Sequence, residues 1–200
     1  MIGAERLDHL QRCVETVLTE AIAGDLIETG VWRGGAGIVM RAVLAAYDVG
    51  DRTVWLADSF AGVPAPDSRR HPADAGYRLH RYEELAVSVQ RVRANFDRYC
   101  LLDDQVRFVE GRFRDTLPTL KGHPWSLIRL DGDLAESTHD ALENLYPSLS
   151  PGGYVIVDDY GVVRACRTAV DEFRGRHDVR EPIEYLDASA VSWRRSRCPA

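Results

Sequence analysis

Four aspartates follow two apolar segments of the sequence, and their side chains have the clearest capacity for chemistry. Asp131 and Asp133 come directly after one apolar run, and Asp158 and Asp159 come directly after another. Runs of this kind are typical of buried strands in a parallel sheet, whose carboxyl ends meet at one edge. Carboxylate oxygens are hard ligands, so the four residues predict a Mg²⁺ site at that edge. The alternative is that they only form turns or cap helices.

A glycine-containing turn is the second candidate site. Leu26 and Ile27 read as a strand, Gly30, Gly34 and Gly35 follow, and an apolar helical segment covers residues 38–47. A strand, a glycine turn and a helix form the cradle of many nucleotide-type cofactors, because glycine lets the backbone approach the ligand. The turn lacks the full G-x-G-x-x-G pattern, so a purely structural turn stays open as the alternative.

Two later positions extend the cofactor hypothesis. Asp58 ends the second predicted strand, at about the spacing from the glycine turn that suits an acid binding ribose hydroxyls. Gly111 and Phe113 follow the third predicted strand and suggest an adenine pocket, although Phe113 would also suit the core. No P-loop lysine follows Gly35. The pattern therefore favours an adenosine-type cofactor without phosphates.

Residues 61–82 form a long segment that is rich in proline, aspartate, arginine and histidine. A long loop in a compact domain is usually functional or disordered. Because this one follows Asp58 directly, we predict that it is an active-site loop. The rival interpretation is a solvated loop without a function.

The elements around these sites predict an α/β fold. Five strands are each followed by a helix, and two short strands at 183–186 and 191–193 form a terminal hairpin. This order predicts an open, mostly parallel sheet with helices on both faces. We expect one domain over residues 1–200. Helices are predicted at 6–22, 38–47, 83–99, 136–145 and 165–176.

Composition excludes several classes of protein. The net charge of −6 argues against a nucleic-acid surface, which needs a basic excess. No apolar run is long enough to span a bilayer, and the sequence does not begin like a signal peptide. The scattered Cys13, Cys100, Cys166 and Cys198 predict reduced thiols in a cytoplasmic protein.

Five motifs, in order, resemble those of the macrocin-type sugar O-methyltransferases. The match begins at Arg6 and runs over nearly the whole chain; its motifs cover residues 26–35, 58–60, 111–118, 131–138 and 150–160. The resemblance implies a Rossmann-like class I methyltransferase sheet of seven strands with a C-terminal antiparallel hairpin. It further implies Mg²⁺-dependent methyl transfer from S-adenosylmethionine to a deoxysugar hydroxyl of a glycosylated natural product, such as a macrolide antibiotic.

The matched positions also imply roles for individual residues. Asp131, Asp158 and Asp159 resemble the metal ligands, and Asp133 resembles the general base. The implied cofactor contacts form the methionine end, the ribose site and the adenine side of one pocket. They are Glu28, Thr29, Gly30, Val31, Trp32, Asp58, Ser59, Phe60, Gly111, Phe113, Asp131 and Gly132.

Two departures from the family pattern bear on the substrate. Family members carry an amino-terminal segment ahead of the matched region that helps to cover the active site, and they commonly have tyrosine where this chain has Ala135. The resemblance implies a homo-oligomer with a small-molecule glycoside as partner, and neither nucleic acid nor membrane. The alternatives are a catechol-type O-methyltransferase, a nicotinamide oxidoreductase and a protein that binds the cofactor without catalysis.

Overall fold

The computed structural model describes residues 2–197, and seven strands of this range form one sheet. The sheet order is β3-β2-β1-β4-β5-β7-β6. The first five strands are parallel, whereas β7 runs antiparallel to both β5 and β6. This arrangement confirms the predicted mostly parallel sheet with a terminal hairpin. The strands are β1 (Asp25–Thr29), β2 (Val54–Asp58), β3 (Val106–Glu110), β4 (Trp125–Leu130), β5 (Leu149–Val157), β6 (Glu184–Tyr185) and β7 (Val191–Arg194).

Six α-helices cover the two faces of this sheet, as the sequence predicts. Successive side chains of a strand point to opposite faces, so Leu26 packs with α1, α2 and α3 while Ile27 packs with α5 and α6. Both faces are apolar, which explains why the central strands read as continuous apolar runs. The helices are α1 (Ala4–Thr19), α2 (Gly35–Ala46), α3 (Val89–Asp97), α4 (Phe113–Thr116), α5 (Ala135–Leu145) and α6 (Arg164–Arg176).

The predicted helix over 83–99 is wrong in its first part. A short 3₁₀ turn occupies Glu83–Leu85, and α3 begins only at Val89. The Ser88 side chain caps α3 by accepting a hydrogen bond of 3.3 Å from the Arg91 N–H. A capping serine satisfies an N–H that the first helical turn leaves free, so the helix starts there.

The carboxyl ends of the five parallel strands lie at one edge of the sheet. β2 and β3 lie on one side of β1, whereas β4 and β5 lie on its other side. The strand order therefore reverses between β1 and β4. Ligands of open α/β sheets bind at such a switch point. The connection between β2 and α3, residues 59–88, lies over this edge and contains three short 3₁₀ turns.

Cys13, Cys100 and Cys166 are free thiols, whereas Cys198 lies outside the described residues. Within residues 2–197, no helix combines the length and apolarity that crossing a bilayer requires.

Candidate active site

A cavity of about 630 Å³ opens at the carboxyl ends of the parallel strands. Most of the residues that the sequence predicts for the site line it. Thr29 and Phe60 do not, because both side chains pack in the interior: Thr29 is 1% exposed and Phe60 packs against Phe108. The predicted residues that line the cavity are Glu28, Gly30, Val31, Trp32, Asp58, Ser59, Gly111, Phe113, Asp131, Gly132, Asp133, Asp158 and Asp159.

The turn after β1 depends on Gly30. Its φ is +88°, and a Cβ at this position would lie 1.9 Å from the backbone oxygen of Asp131. Only glycine allows this close approach, so the turn after β1 packs directly on the turn after β4. The backbone of the glycine turn therefore lines the cavity beside the aspartates.

Asp58 joins the turns after β1 and β2. Its Oδ2 accepts hydrogen bonds from the N–H groups of Val31 (2.6 Å) and Trp32 (3.3 Å). Its Oδ1 accepts a third, of 2.9 Å, from the Phe60 N–H. Trp32 has a φ of +47°, which these hydrogen bonds help to hold. Asp58 lies where the sequence predicts a ribose-binding acid, and it also shapes the pocket wall.

Phe113 packs close to Gly132 in the turn after β4. A Cβ at Gly132 would lie 3.2 Å from Phe113 Cε2 and 2.9 Å from Ser137 Cβ. The ring of Phe113 lines the cavity and also packs against the core beneath it. Phe113 is thus in contact with the core and also lines the cavity, and its contact with an adenine stays a prediction.

Arg129, which sequence reasoning missed, lies at the centre of the charged cluster. It is 2% exposed and is the second-last residue of β4. Its Nη1 lies 2.5 Å from Glu28 Oε1 and 3.0 Å from Asp131 Oδ2, and its Nη2 lies 2.8 Å from Asp158 Oδ1. Burial alone would lower the pKa of Arg129, but these carboxylates raise it above its usual range. The sequence feature that could have identified Arg129 is its place as a charged residue among the apolar residues of a buried strand.

Arg6 of α1 is the second cation that the sequence analysis did not identify as part of the site. Its Nη1 lies 2.8 Å from Asp158 Oδ2, and its Nε lies 2.6 Å from Asp187 Oδ2. Asp158 is therefore held between two guanidinium groups. This contact brings the amino-terminal helix to the edge of the cavity.

Asp133 and Asp159 lie on the solvent side of this cluster. Asp133 has a φ of +59°, and its N–H donates a hydrogen bond of 3.1 Å to Asp159 Oδ2. Burial, together with the negative charge of neighbouring aspartates, raises the pKa of Asp133 to about 7 and that of Asp159 to about 8. Burial similarly raises the pKa of Glu28 to about 8, although Arg129 opposes this shift.

The side chains do not form a ready-made metal site. Within residues 2–197, no three histidine, cysteine, aspartate or glutamate side chains are arranged to hold one ion. Asp158 faces the two arginines instead of a common centre with Asp131 and Asp159. The chemistry of the donor set nevertheless fits a divalent cation, because hard carboxylate oxygens predominate. Asp158 Oδ1 is buried, and its contact is the guanidinium group of Arg129 at 2.8 Å.

The charges of the cluster are unbalanced. Glu28, Asp131, Asp133, Asp158 and Asp159 are five carboxylates, and within residues 2–197 the ion pairs to them come from the guanidinium groups of Arg6 and Arg129. Asp133 and Asp159 form no ion pair with either arginine, so the cluster carries an excess of negative charge when its acids are ionised. Such a site attracts cationic ligands.

Comparisons with known proteins identify the family. The sequence profile of the macrocin-O-methyltransferase (TylF) family matches residues 1–195. The chain is 55% identical over 201 residues to 8-demethyl-8-(2,3-dimethoxy-alpha-L-rhamnosyl)-tetracenomycin-C 4'-O-methyltransferase of Streptomyces olivaceus, covering 100% of this chain and 77% of that one. It is 52% identical to mycinamicin III 3''-O-methyltransferase of Micromonospora griseorubida, covering 98% of this chain and 78% of the relative.

A solved structure agrees with these relatives. The structure of the O-methyltransferase NovP superimposes with a TM-score of 0.95 at 51% identity, covering 98% of this chain and 81% of that one. The predicted family resemblance is therefore confirmed. The chain belongs to the macrocin-O-methyltransferase (TylF) family of natural-product sugar O-methyltransferases.

Proposed function

We propose that the protein transfers the methyl group of S-adenosylmethionine to a deoxysugar hydroxyl of a glycosylated natural product, in a reaction that depends on Mg²⁺. The observation that carries the proposal is the group of five carboxylates beside the Gly30 turn, of which Asp133 and Asp159 form no ion pair with Arg6 or Arg129. A divalent cation and a sulfonium donor together carry three positive charges. Binding of these two ligands would offset the negative charge of the cluster and favour the ionised form of its acids.

The cofactor would lie along the turn after β1. The backbone of Gly30 and Trp32 and the side chain of Glu28 line one part of the cavity, and Asp58 and Phe113 line its further parts. The chain's own contribution here is orientation, because methyl transfer is a displacement that requires the acceptor oxygen in line with the methyl group. The hydrogen bonds of Asp58 to the two turns keep this wall fixed.

Asp131, Asp158 and Asp159 would hold Mg²⁺. Asp158 would have to exchange one guanidinium contact for the ion, since both of its oxygens face arginines. When bound, a divalent cation lowers the pKa of a coordinated hydroxyl and orients it. The remaining steps belong to the side chains themselves.

Asp133 would act as the general base. It follows Asp131 by two residues, its side chain lines the cavity, and its backbone is fixed by the hydrogen bond to Asp159. A base must come within hydrogen-bond reach of the proton that it removes, and the end of β4 offers this position next to the metal-binding acids. The proton of the sugar hydroxyl would move to a carboxylate oxygen of Asp133.

A turnover assay with labelled S-adenosylmethionine tests the proposal. We expect methylation of a rhamnosylated polyketide glycoside, no methylation of a simple catechol, and loss of turnover in excess EDTA that added Mg²⁺ restores. Full activity in EDTA would exclude the metal. Preferential methylation of the catechol would exclude a sugar hydroxyl as the natural methyl acceptor. Binding of S-adenosylmethionine by calorimetry without turnover on either acceptor would favour a non-catalytic role.

A further inference from the structure

The loop between β2 and α3 is attached to α5 by a fully buried carboxylate. Asp74 is 0% exposed, its Oδ1 accepts a hydrogen bond of 2.7 Å from the Ala135 N–H, and its Oδ2 accepts one of 3.0 Å from the Glu136 N–H. These are the first two N–H groups of α5, and Leu134 at its N-cap position supplies no side-chain cap. The cap comes instead from a residue about 60 positions earlier in the chain.

A second contact seats the same part of the loop. Tyr77, three residues after Asp74, packs against a small-residue surface made of Ala135, Ala165 and Ala169 of α5 and α6. The small side chains leave room for the ring, so the loop lies against both helices. Its polar and its apolar attachment therefore meet at Ala135.

The far end of the loop is attached to the glycine turn. The indole Nε1–H of Trp32 donates a hydrogen bond of 2.9 Å to the backbone oxygen of Glu84. Gly62, Val63 and Leu85 of the loop line the cavity. The loop is thus a wall of the active site, with one attachment to the proposed cofactor turn and another to α5.

We propose that Asp74 is a positioning residue that couples this loop to the turn between β4 and α5. That turn consists of residues 131–134 and leads directly into the two N–H groups that Asp74 binds. The free N–H groups of a helix start carry partial positive charge, which suits a carboxylate. One side chain therefore fixes the loop and also fixes where α5 begins. The reading of residues 131–134 as catalytic rests on the proposed function, whereas the attachment itself does not.

A purely structural cap would have different consequences from a coupling residue. Loss of a structural cap lowers the free energy of unfolding but leaves the folded enzyme's kinetics unchanged. Loss of the coupling detaches the loop from α5 in the folded protein and lowers kcat/KM for the glycoside that accepts the methyl group. The experiment must therefore measure both loop accessibility and kinetics well below the melting temperature.

Limited trypsin digestion measures loop accessibility directly, because Arg69, Arg70, Arg78 and Arg81 lie on the loop. We expect Asp74→Ala to raise the cleavage rate at these sites by about fivefold to tenfold, the effect of losing a side-chain cap. Asp74→Asn keeps one acceptor oxygen and should give an intermediate rate. Mass spectrometry of the fragments assigns the cleavage sites.

Asp67→Asn is the matched control. Asp67 lies in the same loop, and its Oδ1 accepts bonds of 3.2 and 3.4 Å only from the nearby N–H groups of Arg69 and Arg70. The change removes the same charge without touching α5, so cleavage should match the wild type. Equal cleavage of wild type, Asp74→Ala and Asp74→Asn would overturn the coupling role.

Steady-state kinetics supplies the second readout. For Asp74→Ala we expect kcat/KM for the glycoside to fall about tenfold, with Asp74→Asn intermediate, while the Kd for S-adenosylmethionine changes by less than about twofold. Unchanged kinetics with a lowered melting temperature would reduce Asp74 to a structural cap. If the wild type methylates no glycoside, the proposed function fails, but the trypsin comparison still tests the attachment.

Discussion

Arg129 and Glu28 form a salt bridge inside the sheet, with 2.5 Å between Nη1 and Oε1 and both side chains 2% exposed. The second oxygen of Glu28, Oε2, accepts a hydrogen bond of 3.1 Å from the Gly37 N–H of α2. Because Arg129 also contacts Asp131 and Asp158, a continuous polar path leads from α2 to the acids at the cavity. This path fixes the orientation of acids that would otherwise repel each other.

Arg129→Met should therefore destabilise the protein strongly. The change leaves Glu28 buried without its cation and removes one of the two cations that hold Asp158. Loss of one partner of a buried pair costs about 3–5 kcal/mol. Urea unfolding measures the loss. Arg180→Met is the control, because Arg180 pairs with Asp178 at the surface and both side chains are more than 70% exposed. Equal unfolding midpoints for the two variants would contradict a central role for Arg129.

The sequence predicts the parts of this site that depend on local pattern. The apolar run ending at Leu130 and the aspartates after it identify the carboxyl end of a buried strand without any knowledge of its neighbours. The helix start at Val89 was missed because Leu85 fits the helical spacing of the residues after it. Periodicity alone does not show that the Ser88 cap starts the helix later.

The parts that the sequence does not predict depend on lateral neighbours. Glu28 and Arg129 are 101 residues apart, and they meet only because β1 pairs with β4 in the register that puts them side by side. Asp74 reaches α5 across 61 residues, from a loop whose composition predicts only a turn-rich segment. Such contacts follow from the sheet order and not from any spacing along the chain.

The metal proposal predicts that Asp131→Asn and Asp159→Asn each lower kcat by roughly 100-fold or more, since a bound cation contributes several kcal/mol to such a reaction. S-adenosylmethionine should still bind, because the turn after β1 is intact. Calorimetry and turnover over a range of Mg²⁺ concentrations measure the two effects. Asp178→Asn, at an exposed surface position, should behave as the wild type. Wild-type turnover by either site variant at low Mg²⁺ would exclude that residue as a ligand.

The general-base proposal gives a different result for Asp133→Asn. The amide keeps the size of the side chain but does not take up a proton, so kcat should fall by about 10²–10³-fold. The Mg²⁺ concentration at half-maximal rate should stay near the wild-type value, which separates this residue from the metal ligands. A rate within twofold of the wild type would exclude Asp133 as the base.

Gly30→Ala should disrupt the site through the backbone. A methyl group at this position would clash with the Asp131 backbone oxygen 1.9 Å away, and the φ of +88° is unfavourable for alanine. We expect a loss of roughly 2 kcal/mol or more in the free energy of unfolding and weaker cofactor binding. Gly50→Ala is the matched control, because a Cβ at Gly50 meets no atom within 4 Å and Gly50 does not line the cavity. Similar cofactor affinities for the two variants would contradict the close packing of the two turns.

His9 gives the stability of the protein a dependence on pH that is independent of the active site. It is 7% exposed on α1, and its Nε2 lies 3.2 Å from the Sγ of Cys13. Burial lowers the pKa of His9 below 6.5; Arg12 adds to this shift and Glu184 opposes it. Burial also raises the pKa of Cys13 to about 12, so the thiol stays protonated beside a neutral imidazole.

The sign of the pH effect follows from proton uptake by the unfolded chain. Below pH 6.5, His9 takes up a proton more readily in the unfolded chain than in the folded protein, where burial lowers its pKa. The free energy of unfolding therefore falls as the pH decreases. Urea unfolding at pH 7.5 and pH 5.5 should show that His9→Gln, which cannot titrate, loses less stability than the wild type over this interval. His80→Gln, at an exposed position, is the control, and its free energy of unfolding should fall over this interval by as much as that of the wild type. If His9→Gln and the wild type lose equal stability, the imidazole is not kept neutral by burial in α1.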